Sequence, residues 1–407
     1  MKLALFTVSL EVGGAERVLV TLANRFAALG HTVQVVLMKP QGELRKELCP
    51  EVRIVDLNTY RAVRTILPLA RYLRRERPDA LLSTLSQPNL VAIVARRLAR
   101  VPTRVVVREA NTPTREFGAA VKPKDRIVPA LIARMYRQAD AIVAVSRGVQ
   151  HDLLRLTGLP ESRIPCIYNP VITERLLRLR DEPLQHPWFE AGAPPVVLAV
   201  GRLTPQKDYP TLLRAFAQVR QSHPARLLIL GEGELHADLW RLVQALGLTD
   251  AVAMPGYEPN PFAYMRRARV FVLSSRYEGL PNALIQAMAC GCPVVSTDCP
   301  SGPREILDGG RYGALVPVGD VDALAAAIVR GLEGQLPTAP DEWLQQFEEG
   351  HIVGQYLRVL EAECRCASRL GATSSSARAC RKSRGRAGWA TFLSRLPPCC
   401  AKPTGRC

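Results

Sequence analysis

The sequence alternates, twice over, between short apolar runs and longer segments of helical period. "KLALFTV" leads into "GGAERVLVTLANRFAALG" and "HTVQVVLM", with "DALLST", "TRVVVRE" and "DAIVAVS" further on. Strand-length apolar runs separated by amphipathic helices bury both faces as a parallel sheet with crossover helices. The pattern restarts at "PPVVLAVGRLTPQKDYPTLLRAFAQV" and continues through "ARLLILGEGELHADLWRLVQALG", "AVAMPG", "ARVFVLSS" and "CPVVSTD". Between the copies, "RLLRLRDEPLQHPWFEAGAPP" is charged and Pro-rich, as a connection is. The expectation is an α/β chain of two doubly wound, Rossmann-like domains, residues 1–175 and 195–340, joined by a linker at 176–194. A closing helix is expected at 341–363, on either domain.

The formal charge of +17 raises the question of nucleic acid, and its distribution answers it. Ten of the 54 Lys and Arg residues lie after Glu363 with no acid among them, leaving 44 against 37 acids in the rest. That basic, Cys-rich segment, 364–407, has no apolar periodicity and reads as disordered. Six of the eleven cysteines fall there, and Cys364, Cys366, Cys399 and Cys400 lack the paired C-x2-C hooks of a structural zinc site. Cys49, Cys166, Cys290, Cys292 and Cys299 show no disulfide pattern, as in a reducing compartment. "MKLALFTVSL" reads as a first strand rather than a signal peptide, because a Gly-Gly turn and an amphipathic helix follow it directly. A cytoplasmic protein that binds no nucleic acid is expected.

In open α/β sheets ligands gather at the carboxyl ends of the strands, where Gly-rich turns and helix N-termini present N–H groups to anions. Gly13 and Gly14 follow the first strand, Gly201 the first strand of the second copy, and Gly231 and Gly233 another. In "GRLTPQKDYPTLLRAF", Arg202 and Lys207 flank Pro205 just before a helix, an arrangement suited to a diphosphate. In "SSRYEGLPNALIQAMACG", Glu278 stands in a loop ahead of a helix with Asn282 near its N-cap and Gly291 as its stop. A carboxylate there accepts from sugar hydroxyls, while the N–H groups of Gly279, Leu280, Pro281's neighbours and Asn282 face a phosphate. The only D-x-D, Asp320 to Asp322, reads as a helix cap and not a metal site.

These stretches, from the first strand to about Glu363, resemble the retaining nucleotide-sugar glycosyltransferases of family 4, which have the two-domain GT-B fold. The resemblance implies transfer of a hexose from a nucleoside diphosphate sugar, often a UDP-linked amino sugar, to a glycan or polyprenol-linked glycan. No cofactor or metal is implied. The family's E-x7-E signature becomes E-x7-Q here: Glu278 falls at the hexose-contacting place and Gln286 at the ribose-contacting one. An amide keeps an acceptor oxygen and adds two donors, so a ribose diol can still be held. The resemblance assigns Arg202 and Lys207 to the leaving diphosphate, Gly13 and Gly14 to the reaction centre, and Gly256, Tyr257 and Glu258 to the nucleobase. Relatives place a His after a middle strand, where this chain has "VREANTP"; Arg108, Glu109 and Asn111 are the substitutes on the acceptor side, and His31 reads as a turn residue.

Two other readings compete: a nucleotide-sugar epimerase or hydrolase on the same architecture, and a non-catalytic sugar-binding member. Donor turnover separates them. A final expectation concerns residues 60–82, where Ile66, Leu67, Leu69 and Leu73 lie among Arg61, Arg64, Arg71, Arg74, Arg75 and Arg77. With Arg96, Arg97 and Arg100, this stretch suits docking on an anionic membrane, at the cytoplasmic face, with Pro68 interrupting the helix.

Overall fold

The computed structural model describes residues 1–118 and 127–361; the expected tail at 364–407 lies outside the described residues. Two six-stranded, all-parallel sheets form. The first orders its strands β3-β2-β1-β4-β5-β6, with β1 Lys2–Thr7, β2 Thr32–Leu37, β3 Arg53–Asp56, β4 Ala80–Thr84, β5 Arg104–Glu109 and β6 Ala141–Ala144. The second orders them β12-β11-β10-β7-β8-β9, with β7 Val196–Val200, β8 Arg226–Leu230, β9 Val252–Gly256, β10 Val270–Leu273, β11 Val294–Thr297 and β12 Ala314–Val316. Numbered from its own start, the second sheet repeats the order of the first. The central strands β1, β4, β7 and β10 are almost wholly buried, which explains their uninterrupted apolar sequences.

The chain passes between the domains twice, at adjacent points. The backbone N–H groups of Val171 and Ile172 both donate to Phe347 O at 3.1 Å, and Glu349 N–H returns to Ile172 O at 3.0 Å. Tyr168 packs on Phe347 beside this double crossing, ring centroids 5.2 Å apart. Helix Glu174–Arg180 packs on Pro261–Arg267 of the second domain, and Arg180 Nη1 donates to Ala289 O at 2.5 Å. The last helix, Glu349–Glu361, folds back onto the first domain, burying Ile352, Val353, Tyr356 and Leu360 against strands β4 and β5 and helix Gly14–Ala28.

The domains touch where glycine permits. A Cβ on Gly279 would lie 2.1 Å from Ala110 O of the first domain, and one on Gly148 2.6 Å from Ser301 Oγ of the second. Ser146 and Ser301 share a hydroxyl hydrogen bond of 2.7 Å, and Arg147 N–H donates to Glu305 Oε2 at 2.9 Å.

Helix Ala62–Glu76 differs from expectation in two respects. It runs through Pro68 without breaking, and Leu69 and Leu73 are fully buried against the sheet, so they are core and not membrane anchors. The outward apolar residues are Tyr60, Val63 and Leu67, at helical spacing with exposed Arg64 and Arg71. Arg74 is occupied, donating to Ala99 O and Leu98 O. No described helix is long and apolar enough to cross a membrane.

Candidate active site between the two sheets

Strand β10 runs into Ser274 and Ser275, both buried, whose hydroxyls tie two loops together. Ser275 Oγ donates to Glu278 Oε1 at 2.6 Å, and Ser274 Oγ donates to Lys207 O at 2.7 Å. The turn carrying Lys207 is stitched to the same loop. Arg276 N–H donates to Gln206 O at 2.8 Å, and Gln206 Nε2 donates to Tyr277 O at 3.0 Å. Asp208, at φ 49°, turns the chain into helix Tyr209–Val219 and accepts from Arg276 Nη2 at 3.2 Å. Between these loops Lys207 Nζ lies 2.6 Å from Glu278 Oε1, with side-chain exposures of 15% and 8%. A charge pair this dry keeps its strength only where further hydrogen bonds complete it, as Ser275 does.

Arg202 is exposed, and its side chain has no hydrogen bond or ion pair among the described residues. It faces two carboxylates of the first domain, Glu16 and Glu116. Burial pushes both carboxyl groups up, and the Arg202 guanidinium opposes the shift. The glycine turns form a cradle beside it. A Cβ on Gly231, at φ 140°, would meet Gly201 O at 2.2 Å, and one on Gly233 would meet Leu203 O at 2.4 Å. Gly231 N–H also donates to Gly256 O at 2.7 Å, joining the turns after β7, β8 and β9. Tyr257 lies half exposed next to Gly256, while Glu258 accepts from Asn260 N–H and from Tyr264 Oη.

Helix Asn282–Ala289 begins one residue earlier than a cap at Asn282 requires, with Pro281 as the flanking residue. Asn282 is instead a strap between domains. Its Oδ1 accepts from Asn169 Nδ2 at 2.6 Å, and its Nδ2 donates to Gly14 O at 3.3 Å. This brings Gly13 and Gly14 against the N-terminus of the helix and leaves Gly279 and Leu280 in the domain contact. Gln286, half-buried on the second turn, makes no side-chain hydrogen bond among the described residues, so its amide is available to a ligand. Gly291, at φ 75°, ends the helix as expected.

Two of the three substitutes for the missing His lie inside the first domain. Arg108 is 1% exposed and donates to Tyr356 Oη at 3.0 Å and to Asn169 Oδ1 at 2.5 Å, while its Nη1 is buried without a partner. Glu109 is also 1% exposed and accepts from Tyr136 Oη at 2.6 Å and Ser86 Oγ at 2.8 Å; burial pushes its carboxyl up to about 7. Asn111 caps its neighbour, accepting from Thr112 N–H at 2.9 Å, and lies beside Gly279. Sequence reasoning missed Ser275, Gln206, Asn169, Glu16 and Glu116. Nothing local in the sequence marks them: Ser275 and Gln206 matter only once two loops of the second sheet meet, and Asn169, Glu16 and Glu116 only once the two domains do. Asp320 caps helix Val321–Leu332 by accepting from Ala323 N–H at 2.9 Å, and no group of three metal-binding side chains occurs among the described residues.

Comparison with known proteins places this geometry. Residues 12–175 match the model of Glycosyltransferase Family 4, and residues 194–334 that of Glycosyl transferases group 1. The chain is 30% identical over 352 residues, 82% of its length and 90% of the relative's, to an N-acetylgalactosamine-N,N'-diacetylbacillosaminyl-diphospho-undecaprenol 4-alpha-N-acetylgalactosaminyltransferase of Campylobacter jejuni. It is 28% identical to the lipopolysaccharide core biosynthesis glycosyltransferase LpsE of Rhizobium meliloti, covering 86% of this chain and 96% of that one. Among solved structures, a sucrose-phosphate synthase of Thermosynechococcus elongatus superposes with TM-score 0.74 at 22% identity, covering 88% of this chain and 99% of that one. HepE of Anabaena in complex with UDP and glucose superposes with TM-score 0.70 at 20% identity, covering 89% and 100%. Two parallel sheets facing a cleft, family models on both halves and a relative matched over nine-tenths of its length identify the chain as a family 4 glycosyltransferase of the GT-B fold.

Proposed function

We propose that the protein transfers a hexose, with retention at the anomeric carbon, from a UDP-sugar to a hydroxyl of a glycan or polyprenol-linked glycan. The observation that carries this reading is the Lys207–Glu278 pair at the carboxyl edge of the second sheet, with Arg202 uncommitted beside it. Breaking the anomeric C–O bond leaves negative charge on the diphosphate and oxocarbenium character on the sugar. Fixed cations aimed at the departing oxygens are the largest service a protein can offer such a step. Lys207 and Arg202 fill that role, and Glu278 orients the sugar hydroxyls. The acceptor oxygen bonds to the anomeric carbon on the face the diphosphate leaves, and the acceptor's proton passes to a diphosphate oxygen. Gln286 holds the ribose diol. Gly256, Tyr257 and Glu258 border the base.

The relative from Campylobacter is named for a diphospho-undecaprenol-linked glycan, and HepE was solved with UDP-glucose, which supports the donor and acceptor classes. An acceptor on a lipid requires work at a membrane surface. The outward stripe of Tyr60, Val63, Arg64, Leu67 and Arg71 supports docking of the first domain at the cytoplasmic face.

The test is a donor-by-acceptor screen with mass detection, followed by assignment of the product anomer. An α-linked product from an α-configured donor supports the reading, and a β-linked product overturns retention. A free isomer would mean an epimerase, free hexose a hydrolase, and tight binding without turnover a binding protein.

A further inference from the structure

The loop that carries Glu278 has two flanks. On one, β7, β8 and β9 end in the glycine cradle and Tyr257. On the other, β11 and β12 end beside a cavity of about 780 Å³ that the donor reading leaves unused. Small-molecule sites run from roughly 300 to 1,000 Å³, so the space is of ligand size.

Its lining is unusual in charge. Arg115, Arg276 and Arg304 line it, with Asp298 as the only carboxylate, and Leu315 and Val318 contribute to an apolar wall. Arg304 is paired with Asp298 through Nε and Nη2, and Arg276 with Asp208 through Nη2 alone. Arg115 has no side-chain hydrogen bond or ion pair among the described residues. All three guanidinium groups keep solvent-facing area, and Arg115, which has no carboxylate partner among the described residues, leaves the lining with an excess of positive charge for an anion to offset. The cavity is built from both domains. Arg115 lies on helix Pro113–Gly118 of the first, and its neighbour Thr112 donates through Oγ1 to Glu278 O at 3.2 Å. Arg276 stands two residues before Glu278. Whatever binds here therefore lies against the catalytic loop on the side away from the nucleotide.

We propose that this cavity is an acceptor subsite for a phosphate or diphosphate ester, with Arg115 and Arg304 binding the anion and the Leu315–Val318 wall taking the adjoining apolar group. The inference rests on the transferase reading and names the acceptor's chemistry. The ester has two conceivable sources, the link between the first sugar and a prenyl chain, or a phosphate carried by the glycan itself.

Calorimetric titrations in saturating UDP, which fills the donor side, distinguish these. Farnesyl diphosphate represents the lipid link and glucose 1-phosphate the phosphorylated sugar. The full-length protein should bind at least one of them, and Arg115→Gln with Arg304→Gln should weaken that binding at least about tenfold, as for one lost charge-assisted hydrogen bond. UDP affinity should change by less than about twofold, because neither residue lies on the donor flank. Arg115→Glu alone should weaken it further, which guards against a merely structural effect of freeing Asp298. Preference for farnesyl diphosphate assigns the lipid link, preference for glucose 1-phosphate assigns the sugar phosphate, and equal binding overturns the role given to the apolar wall. If neither probe binds while UDP does, or if binding survives the substitutions, the subsite is wrong. If UDP itself does not bind, the transferase reading fails and this inference falls with it.

Discussion

Lys207 and Glu278 lie 71 residues apart in sequence, and Lys207 Nζ donates to Glu278 Oε1 across 2.6 Å at the floor of the cleft between the domains. The pair is a stored arrangement. On the proposed reading, a donor diphosphate competes for the lysine, and the carboxylate then has hydrogen-bonding capacity to spare for the sugar. Lys207→Met should destabilise the protein by about 3 kcal/mol, because it strands a carboxylate that is nearly dry. Glu278→Gln in the same chain should recover much of that loss. Denaturant melts of the two single variants and the double variant measure the coupling, and additive losses would mean that the pair is not energetically linked.

The two ends of the E-x7-Q stretch should respond in opposite ways. Glu278→Gln removes the charge from a group that Ser275 and Lys207 hold in place, and transfer should fall about 100-fold or more. Gln286→Glu puts a carboxylate where a half-buried amide has no protein partner, and donor affinity should hold or improve. Steady-state kinetics with a saturating acceptor decide this. Equal losses from both substitutions would refute the division of roles.

Gly279→Ala tests whether the closed contact of the domains matters. A methyl at that position meets Ala110 O at 2.1 Å, a backbone atom that cannot swing aside. The domains must separate locally, so transfer should drop at least about tenfold while the melting temperature moves by no more than about 4 °C. An unfolded protein, or full activity, would contradict a role confined to domain closure.

Glu109 should leave a signature in stability against pH. Its folded carboxyl, pushed up to about 7 by burial, holds a proton that the unfolded chain releases near 4.5. At this group the folded state therefore binds more protons between these values, so the contribution of Glu109 to stability is fully present below about 4.5 and is lost as pH rises to about 7. The expected loss is on the order of 1–3 kcal/mol. Glu109→Gln should flatten this window in thermal melts from pH 4.5 to 8, and an unchanged slope would assign it to other groups.

Membrane docking, if the outward stripe performs it, depends on Val63 and Leu67 and not on the buried leucines. Flotation with anionic vesicles should lose most bound protein on Val63→Asp with Leu67→Asp. Arg64→Glu with Arg71→Glu should weaken binding and remove its salt dependence, since each surface cation contributes about 1 kcal/mol. Binding that survives both pairs would place the contact elsewhere.

The sheets, their repetition and the course of the loop carrying Glu278 were legible because they rest on local patterns. Buried parallel strands read as runs such as "RLLIL", and the turn glycines read as such because Gly231 and Gly233 have backbone where a Cβ would be. The Leu69 and Leu73 positions were misjudged because an amphipathic helix on a sheet and one on a bilayer share the same period; only the fold says which face is inside. Arg108 and Glu109 looked like cleft residues for a related reason. They end a strand where ligands gather, but helix Glu349–Glu361 and Tyr136 cover them, and neither partner is near in sequence. Asn169 and Asn282 met only through assembly of the two halves.

The return of helix Glu349–Glu361 to the first domain has a consequence for biosynthesis. Tyr356, fully buried and bonded to Arg108, and Val359 O, which accepts from Arg104 Nε at 2.8 Å, belong to a domain whose other elements are translated long before. At about 5–20 residues per second, the stretch after Ile172 takes roughly 10–40 s to emerge. Throughout that interval the nascent first half presents an uncovered apolar strip, so it is the moment of greatest exposure to chaperones and to wrong partners. A stop codon just before residue 349 would leave the second half whole and the first one permanently unfinished.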